Sequence, residues 1–174
     1  MKKWMVILAL SLTACGTTDI NEEPDSSEEV SNDPAESSSF SGFVMDQNED
    51  SILVVDLIEN RGGAPIWVSG VEKDMWLGKK VEVEIVGPIA ESTPMQGQAG
   101  EVTVVESNQP KGADLNESEA LASALSEVDR GNALSVETME YNDEEDQWTI
   151  KMRSTVTESG TERVTVDDDD FEQE

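Results

Sequence analysis

In the segment Lys80-Val81-Glu82-Val83-Glu84-Ile85-Val86, charged and apolar residues alternate from Lys80 through Ile85. Successive side chains of a strand point to opposite faces, so Val81, Val83 and Ile85 share one face while Lys80, Glu82 and Glu84 share the other. A helix would scatter the same residues around its circumference. The segment is therefore a half-buried β-strand that needs partners on its edges and a core beneath one face.

Partners are predicted on both sides in sequence. Residues 40–45 form a first strand, Asp46-Gln47-Asn48-Glu49-Asp50 a polar turn, and residues 51–56 a second strand whose β-branched run reads as buried on both faces. The loop Arg61-Gly62-Gly63-Ala64-Pro65 leads into a short strand at 66–69. Gly87-Pro88 is expected to bend the chain out of the central strand, and residues 100–105 are the last strand. Five short strands punctuated by turns favour a small closed or partly closed barrel.

Residues 110–114 read as a linker, and beyond them the period changes. Leu121, Ala124, Leu125 and Val128 recur at helical spacing, which predicts an amphipathic helix over 117–130. Asn116 is placed to cap it with Glu119 reaching back, Leu115 and Ala120 occupy staple positions, and Gly131 suits a left-handed C-terminal residue. Strands are predicted at 134–141, 147–154 and 162–167, with Trp148, Ile150, Met152, Val164 and Val166 facing one way. The fold class is thus mainly β with one helix: a small OB-like barrel, then a small α+β unit in which the helix covers a three-stranded meander.

The N-terminus carries an address. Lys2 and Lys3, an apolar run from Trp4, and the lipobox Leu12-Thr13-Ala14-Cys15 are the parts of a bacterial lipoprotein signal peptide. The small residues Thr13 and Ala14 fit a signal peptidase cleft, and the Cys15 thiol accepts the diacylglycerol, with palmitate the expected kind of acyl chain. The apolar run is short of the roughly 20 residues that span a bilayer. Residues 16–39 then hold eight acids and no base, a composition expected to stay disordered and extended. The expected organisation is a signal at 1–14, a lipid anchor and acidic tether at 15–39, a β domain at 40–109, a helix-plus-meander domain at 114–167 and an acidic tail at 168–174.

The order Gly42-Phe43-Val44, Ile52-Leu53-Val54-Val55, Ile66-Trp67-Val68-Ser69, Leu77-Gly78-Lys79-Lys80-Val81-Glu82-Val83 and Gly87-Pro88-Ile89-Ala90-Glu91-Ser92-Thr93-Pro94-Met95-Gln96 resembles the YobA-like domain, over about residues 40–105. That resemblance implies an OB-like barrel in an extracytoplasmic setting on Gram-positive lipoproteins. It brings no activity and no catalytic residues. The helix-plus-strands pattern of residues 115–167 is similar, at the level of pattern, to the PepSY module of bacterial envelope proteins.

Composition narrows the chemistry. There is no His and one Cys, so histidine triads, His-ligated zinc, disulfides and thiolate clusters are unavailable. With 39 Asp+Glu against 11 Lys+Arg and a net charge of −28, nucleic acid is an improbable partner. No catalytic residue, cofactor or metal ligand is expected. Asp143-Glu144-Glu145-Asp146 and Asp167-Asp168-Asp169-Asp170 lack the alternating oxygens and glycine of a calcium loop, so they read as solvated runs with weak, nonselective cation association. Such a surface suits saline or alkaline surroundings.

Candidate binding residues are Trp67, which could stack a ligand in a barrel groove, and Glu91, Ser92 and Pro94 in the loop after the central strand. Against these stand core packing for Trp67 and a purely turn-shaping role for Pro88 and Pro94. Lys79-Lys80, the basic pair beyond the signal, could meet an anionic partner or simply end a turn. The expected function is a non-enzymatic, lipid-anchored binding module at the outer face of the cytoplasmic membrane, with an envelope or secreted protein as partner. The alternatives are a regulator of an envelope protease or sensor acting through the C-terminal unit, and a carboxylate-based cell-wall hydrolase.

Overall fold

The computed structural model describes residues 38–57, 63–155 and 160–169. The signal, Cys15, the acidic tether as far as residue 37, Arg61-Gly62, Glu158-Ser159 and the tail from Asp170 onward lie outside the described residues, whereas Ser38 and Ser39, expected in the disordered tether, belong to the first strand, where they pair with Ile85 and Glu84. The elements are β1 (Ser38–Gln47), β2 (Ser51–Val55), β3 (Pro65–Ser69), β4 (Lys80–Ala90), β5 (Met95–Val104), α1 (Glu117–Glu127), β6 (Leu134–Asn142), β7 (Gln147–Ser154) and β8 (Thr161–Asp167).

The first five strands close into a barrel in the order β1-β2-β3-β5-β4, with β4 returning to β1. Every pairing is antiparallel except β3 with β5. A helix and an antiparallel β6-β7-β8 sheet follow. This is the mainly β, OB-like barrel plus α+β unit that the patterning predicts. The alternation in β4 works as read: Val81, Val83 and Ile85 are fully buried while Glu82 and Glu84 are exposed.

Two strand ends differ from expectation. Gly87-Pro88 does not bend the chain out of β4; the strand continues to Ala90, with irregular pairing to β5 between Val86 and Ala90. Gly87 adopts φ 75° there, which lets a local bulge absorb the bend. As a result β5 starts at Met95, well before residue 100.

Two hydrophobic clusters share β1 and β2. Phe40, Val44, Ile52 and Val54 fill the barrel with Ile66, Val68, Val81, Val83 and Ile85. Phe43, Met45, Leu53 and Val55, on the outer side of the same strands, join Leu121 and Leu125 of α1 and Trp148, Ile150, Met152, Val164 and Val166 of the sheet. β2 is thus buried on both faces, as its β-branched run suggests. Residues 105–116 have no helix or strand, as a linker would, yet Ala113 and Leu115 are buried in the second cluster.

The start of α1 follows the sequence closely. Asn116 Oδ1 accepts from the backbone N–H of Ser118 and Glu119 at 2.9 and 3.2 Å, and Glu119 Oε2 accepts from the Asn116 N–H at 2.9 Å. Its end does not. The helix stops at Glu127, Val128 is extended, and Asp129 caps a separate 3-10 turn at Arg130–Asn132, accepting from the Gly131 N–H at 3.0 Å. An aspartate is a strong N-cap and a poor last-turn residue, so it starts a new turn instead of prolonging the old one. The left-handed residue is Ala133 at φ 46°, not Gly131.

Candidate functional site

The barrel meets the helix at Gly78. Its φ is +78°, and a Cβ there would lie 2.6 Å from the Ala122 nitrogen of α1. Only glycine permits this backbone-to-helix approach. Next to it, the Lys80 N–H donates to Ser118 Oγ at 3.3 Å, and the Ser118 and Ser107 hydroxyls are hydrogen-bonded to each other. The Val105 N–H donates to the Lys80 carbonyl at 2.8 Å and the Glu117 N–H to the Asn108 carbonyl at 2.9 Å. The first turn of α1 is thereby sewn to the ends of β4 and β5.

These contacts leave a surface groove of about 850 Å³ between the barrel and the helix start. Leu77 and Val104 supply apolar surface, and Val104 remains 51 % exposed. Lys79 and Lys80 stand on one side, with Glu106, Glu117 and Glu119 also lining the groove. Several polar groups are already engaged: Asn116 and Glu119 in the capping box, Asn108 Nδ2 with Glu117 Oε1 at 3.3 Å, and Gln109 Nε2 with the carbonyls of Ala113 and Asp114. Lys79 reaches Asp74 at 3.4 Å and lies 5.3 Å from the Trp76 ring centre, and Lys80 lies 5.8 Å from that of Phe43. An open, mixed-charge groove with apolar surface at Leu77 and Val104 offers contacts to a folded or extended polypeptide.

The loop after β4 is a tight hairpin connection. Ala90 pairs with Gln96, the Thr93–Pro94 peptide is cis, and Ser92 Oγ donates to the Pro94 carbonyl at 2.6 Å. Gln96 Nε2 donates to Ser92 Oγ at 3.4 Å. Ser92 therefore shapes the turn, Pro94 is half-buried, and Glu91 is exposed. Trp67 pairs with Gln96 along β3 and β5, which brings its backbone beside this loop. Its side chain, half-buried, packs against the cluster shared with α1 and the sheet. That geometry is core packing and does not form a stacking platform in the barrel.

The sequence reading did not find the most elaborate polar site. Asp168, expected in a solvated tail, is buried. Its carboxylate accepts from the backbone N–H of Asp114, from that of Leu115 at 3.1 Å and from Trp148 Nε1 at 2.8 Å. Burial pushes its pKa up, but the three donors outweigh that and hold it below the ordinary 3.8. Asp168 continues the parity of Val164 and Val166, the one signal that could have set it apart from its neighbours.

Beside it, Tyr141 packs on Trp148 with ring centres 5.6 Å apart. The Tyr141 hydroxyl donates to Asp146 Oδ1 at 2.7 Å, which with desolvation raises its pKa to about 12. Residues 143–146 form the β6-β7 turn, with Asp146 at φ 55°. Among the described residues no three His, Cys, Asp or Glu side chains converge as a metal site.

All of the barrel but the first three residues of β1 falls within one family match. Residues 41–106 match the model of the family described as "Protein of unknown function (DUF3221)". The match fits the YobA-like resemblance. The DUF3221 domain contains Trp67, the 91–94 loop and the barrel side of the groove as far as Glu106, while α1 and the three-stranded sheet lie outside it. No curated protein and no solved structure matches the chain.

Proposed function

We propose that this protein is a non-enzymatic binding module, held at the outer face of the cytoplasmic membrane of a Gram-positive bacterium by lipidated Cys15, and that its ligand is an envelope or secreted protein seated in the barrel–helix groove. The observation that carries the reading is the groove itself: about 850 Å³, apolar at Leu77 and Val104, with Lys79, Lys80 and carboxylates around it. The Leu12-Thr13-Ala14-Cys15 lipobox supports the location. The eight acids and missing bases of residues 16–39 support a spacer between anchor and module.

The test is in-cell photo-cross-linking from Val104, with Cys15→Ser as the unanchored control and a probe at Glu91 as the off-groove control. A single anchored-cell adduct from Val104, missing from both controls, is the expected result. Equal adducts from the Val104 and Glu91 probes would discard the groove. In parallel, an alkyne-palmitate label should appear on the wild type and not on Cys15→Ser.

A second reading, that the protein regulates an envelope protease or sensor, is supported by the packing of α1 on the β6-β8 meander, the arrangement that the PepSY resemblance implies. The partner recovered from the cross-link distinguishes it from a passive adaptor.

A further inference from the structure

The β6-β7-β8 sheet ends in two edges, and they differ. β6 is interrupted by a register shift between Val136 and Thr138, and its Ser135 hydroxyl donates to the Asp56 carbonyl at 2.9 Å. β8 pairs with β7 from Thr161 to Asp167 without a bulge, contains no proline, and has no strand on its other side among the described residues. Such an edge presents a row of free N–H and C=O groups, a template for another strand.

The residues that own those groups follow from one bond. The Asp168 N–H donates to the Asp146 carbonyl at 3.1 Å, one step beyond the Gln147–Asp167 pair. Hydrogen-bonded pairs alternate along an antiparallel ladder, so Val164 and Val166 direct their backbone groups to β7, while Arg163, Thr165 and Asp167 direct theirs outward from the edge. The side chains of these last three are exposed on the face opposite the buried Val164 and Val166.

The strand Arg163-Val164-Thr165-Val166-Asp167 is complementary to its own reverse. An antiparallel copy centred on Thr165 sets Arg163 against Asp167, Val164 against Val166, and Thr165 against its counterpart. Opposite-charge and Thr–Thr pairs of this kind stabilise a ladder, and β-branched residues pack well on it. Centring on Val164 sets Arg163 against Thr165, and centring on Arg163 sets it against itself, so neither register keeps the charge pairs. Within its own chain Arg163 stands opposite Lys151 and, among the described residues, has no carboxylate within salt-bridge distance. Asp167 Oδ1 accepts from the neutral Gln147 amide.

We propose that β8 of one copy pairs antiparallel with β8 of a second copy in the register centred on Thr165, joining the two sheets across a two-fold axis. Each Arg163 gains the carboxylate it lacks, and the outward backbone groups of Arg163, Thr165 and Asp167 gain partners. The contact is isologous, so it closes at two copies. It stops at Asp167, because Asp168 turns inward to the Asp114 and Leu115 N–H groups and Trp148. The net charge of −28 opposes approach, so the dimer forms best at or above physiological ionic strength, where the Debye length is about 8 Å or less.

Sedimentation velocity on the mature chain carrying Cys15→Ser, at physiological salt over a range of protein concentrations, tests this. The expected result is a monomer–dimer equilibrium with no larger species. Thr165→Pro removes an outward N–H and leaves the β7 ladder bonds in place, so that variant stays monomeric. Arg163→Asp and Asp167→Arg each place like charges opposite one another at both ends of the seam, and each alone stays monomeric. Their equimolar mixture dimerises, because the acid introduced in one chain faces the base introduced in the other while the two native charges face each other. That recovery also shows that both charge variants fold. The proposal is overturned if the unaltered edge stays monomeric throughout, if species larger than a dimer form, if any of the three variants associates alone, or if the mixture fails to dimerise.

Discussion

A carboxylate enclosed by protein with no cation beside it persists only where donors surround it, and Asp168 has three. It ties the turn after β8 to the segment before α1 and to the Trp148 indole. Because its folded pKa is depressed, its contribution to stability is fully present above the ordinary value of 3.8 and is lost as pH falls through the folded pKa. Asp168→Asn is expected to cost about 2–4 kcal/mol at neutral pH, the cost of disrupting a buried charged hydrogen-bond network. Urea denaturation at pH 7 and again near pH 3 checks both parts: the gap between variant and wild type should be narrower at the second. Sequence reading missed this residue because an aspartate inside a run of aspartates is chemically identical to its neighbours. Beyond its parity with Val164 and Val166, only the tertiary position of Trp148 singles it out.

At the level of elements, what was legible is what is decided locally. The capping box at Asn116 and Glu119 and the period of β4 depend on residues a few positions apart, and both are as the sequence implies. The end of α1 depends on a contest between prolonging one helix and capping the next turn, and Asp129 decides it. The candidate site divides in the same way. The 91–94 hairpin could be placed on a loop, but the side-chain direction of Trp67 and the groove beside Lys80 arise from packing between segments far apart in sequence. Gly78 shows how close that packing is. Gly78→Ala would force a side chain into the α1 backbone at a positive φ, with an expected loss of about 2–4 kcal/mol. A comparable alanine at Gly160, where a Cβ meets nothing within 4 Å, should change the thermal midpoint very little.

For the molecule as a whole, the double duty of β1 and β2 matters more than any single contact. The strands that fill the barrel with Phe40, Val44, Ile52 and Val54 also supply Phe43, Met45, Leu53 and Val55 to the cluster beneath α1 and the sheet. Heating should therefore give one cooperative transition, with barrel and sheet tryptophans reporting the same midpoint; two resolved midpoints would contradict a shared core. The chain as a whole has a net charge of −28, and the excess of acids over bases within this body pushes outward on it. Added sodium chloride should accordingly raise the midpoint, and a fall in stability with salt would contradict the saline-surface reading. The chain also enters the folded body through β1 at Ser38. Any mechanical load arriving from the N-terminal side is thus delivered to a strand hydrogen-bonded to β2 on one edge and β4 on the other. A pull from that side cannot strip off one peripheral hairpin; it must draw out the strand that both hydrophobic clusters hold, so that strand is among the last places to yield.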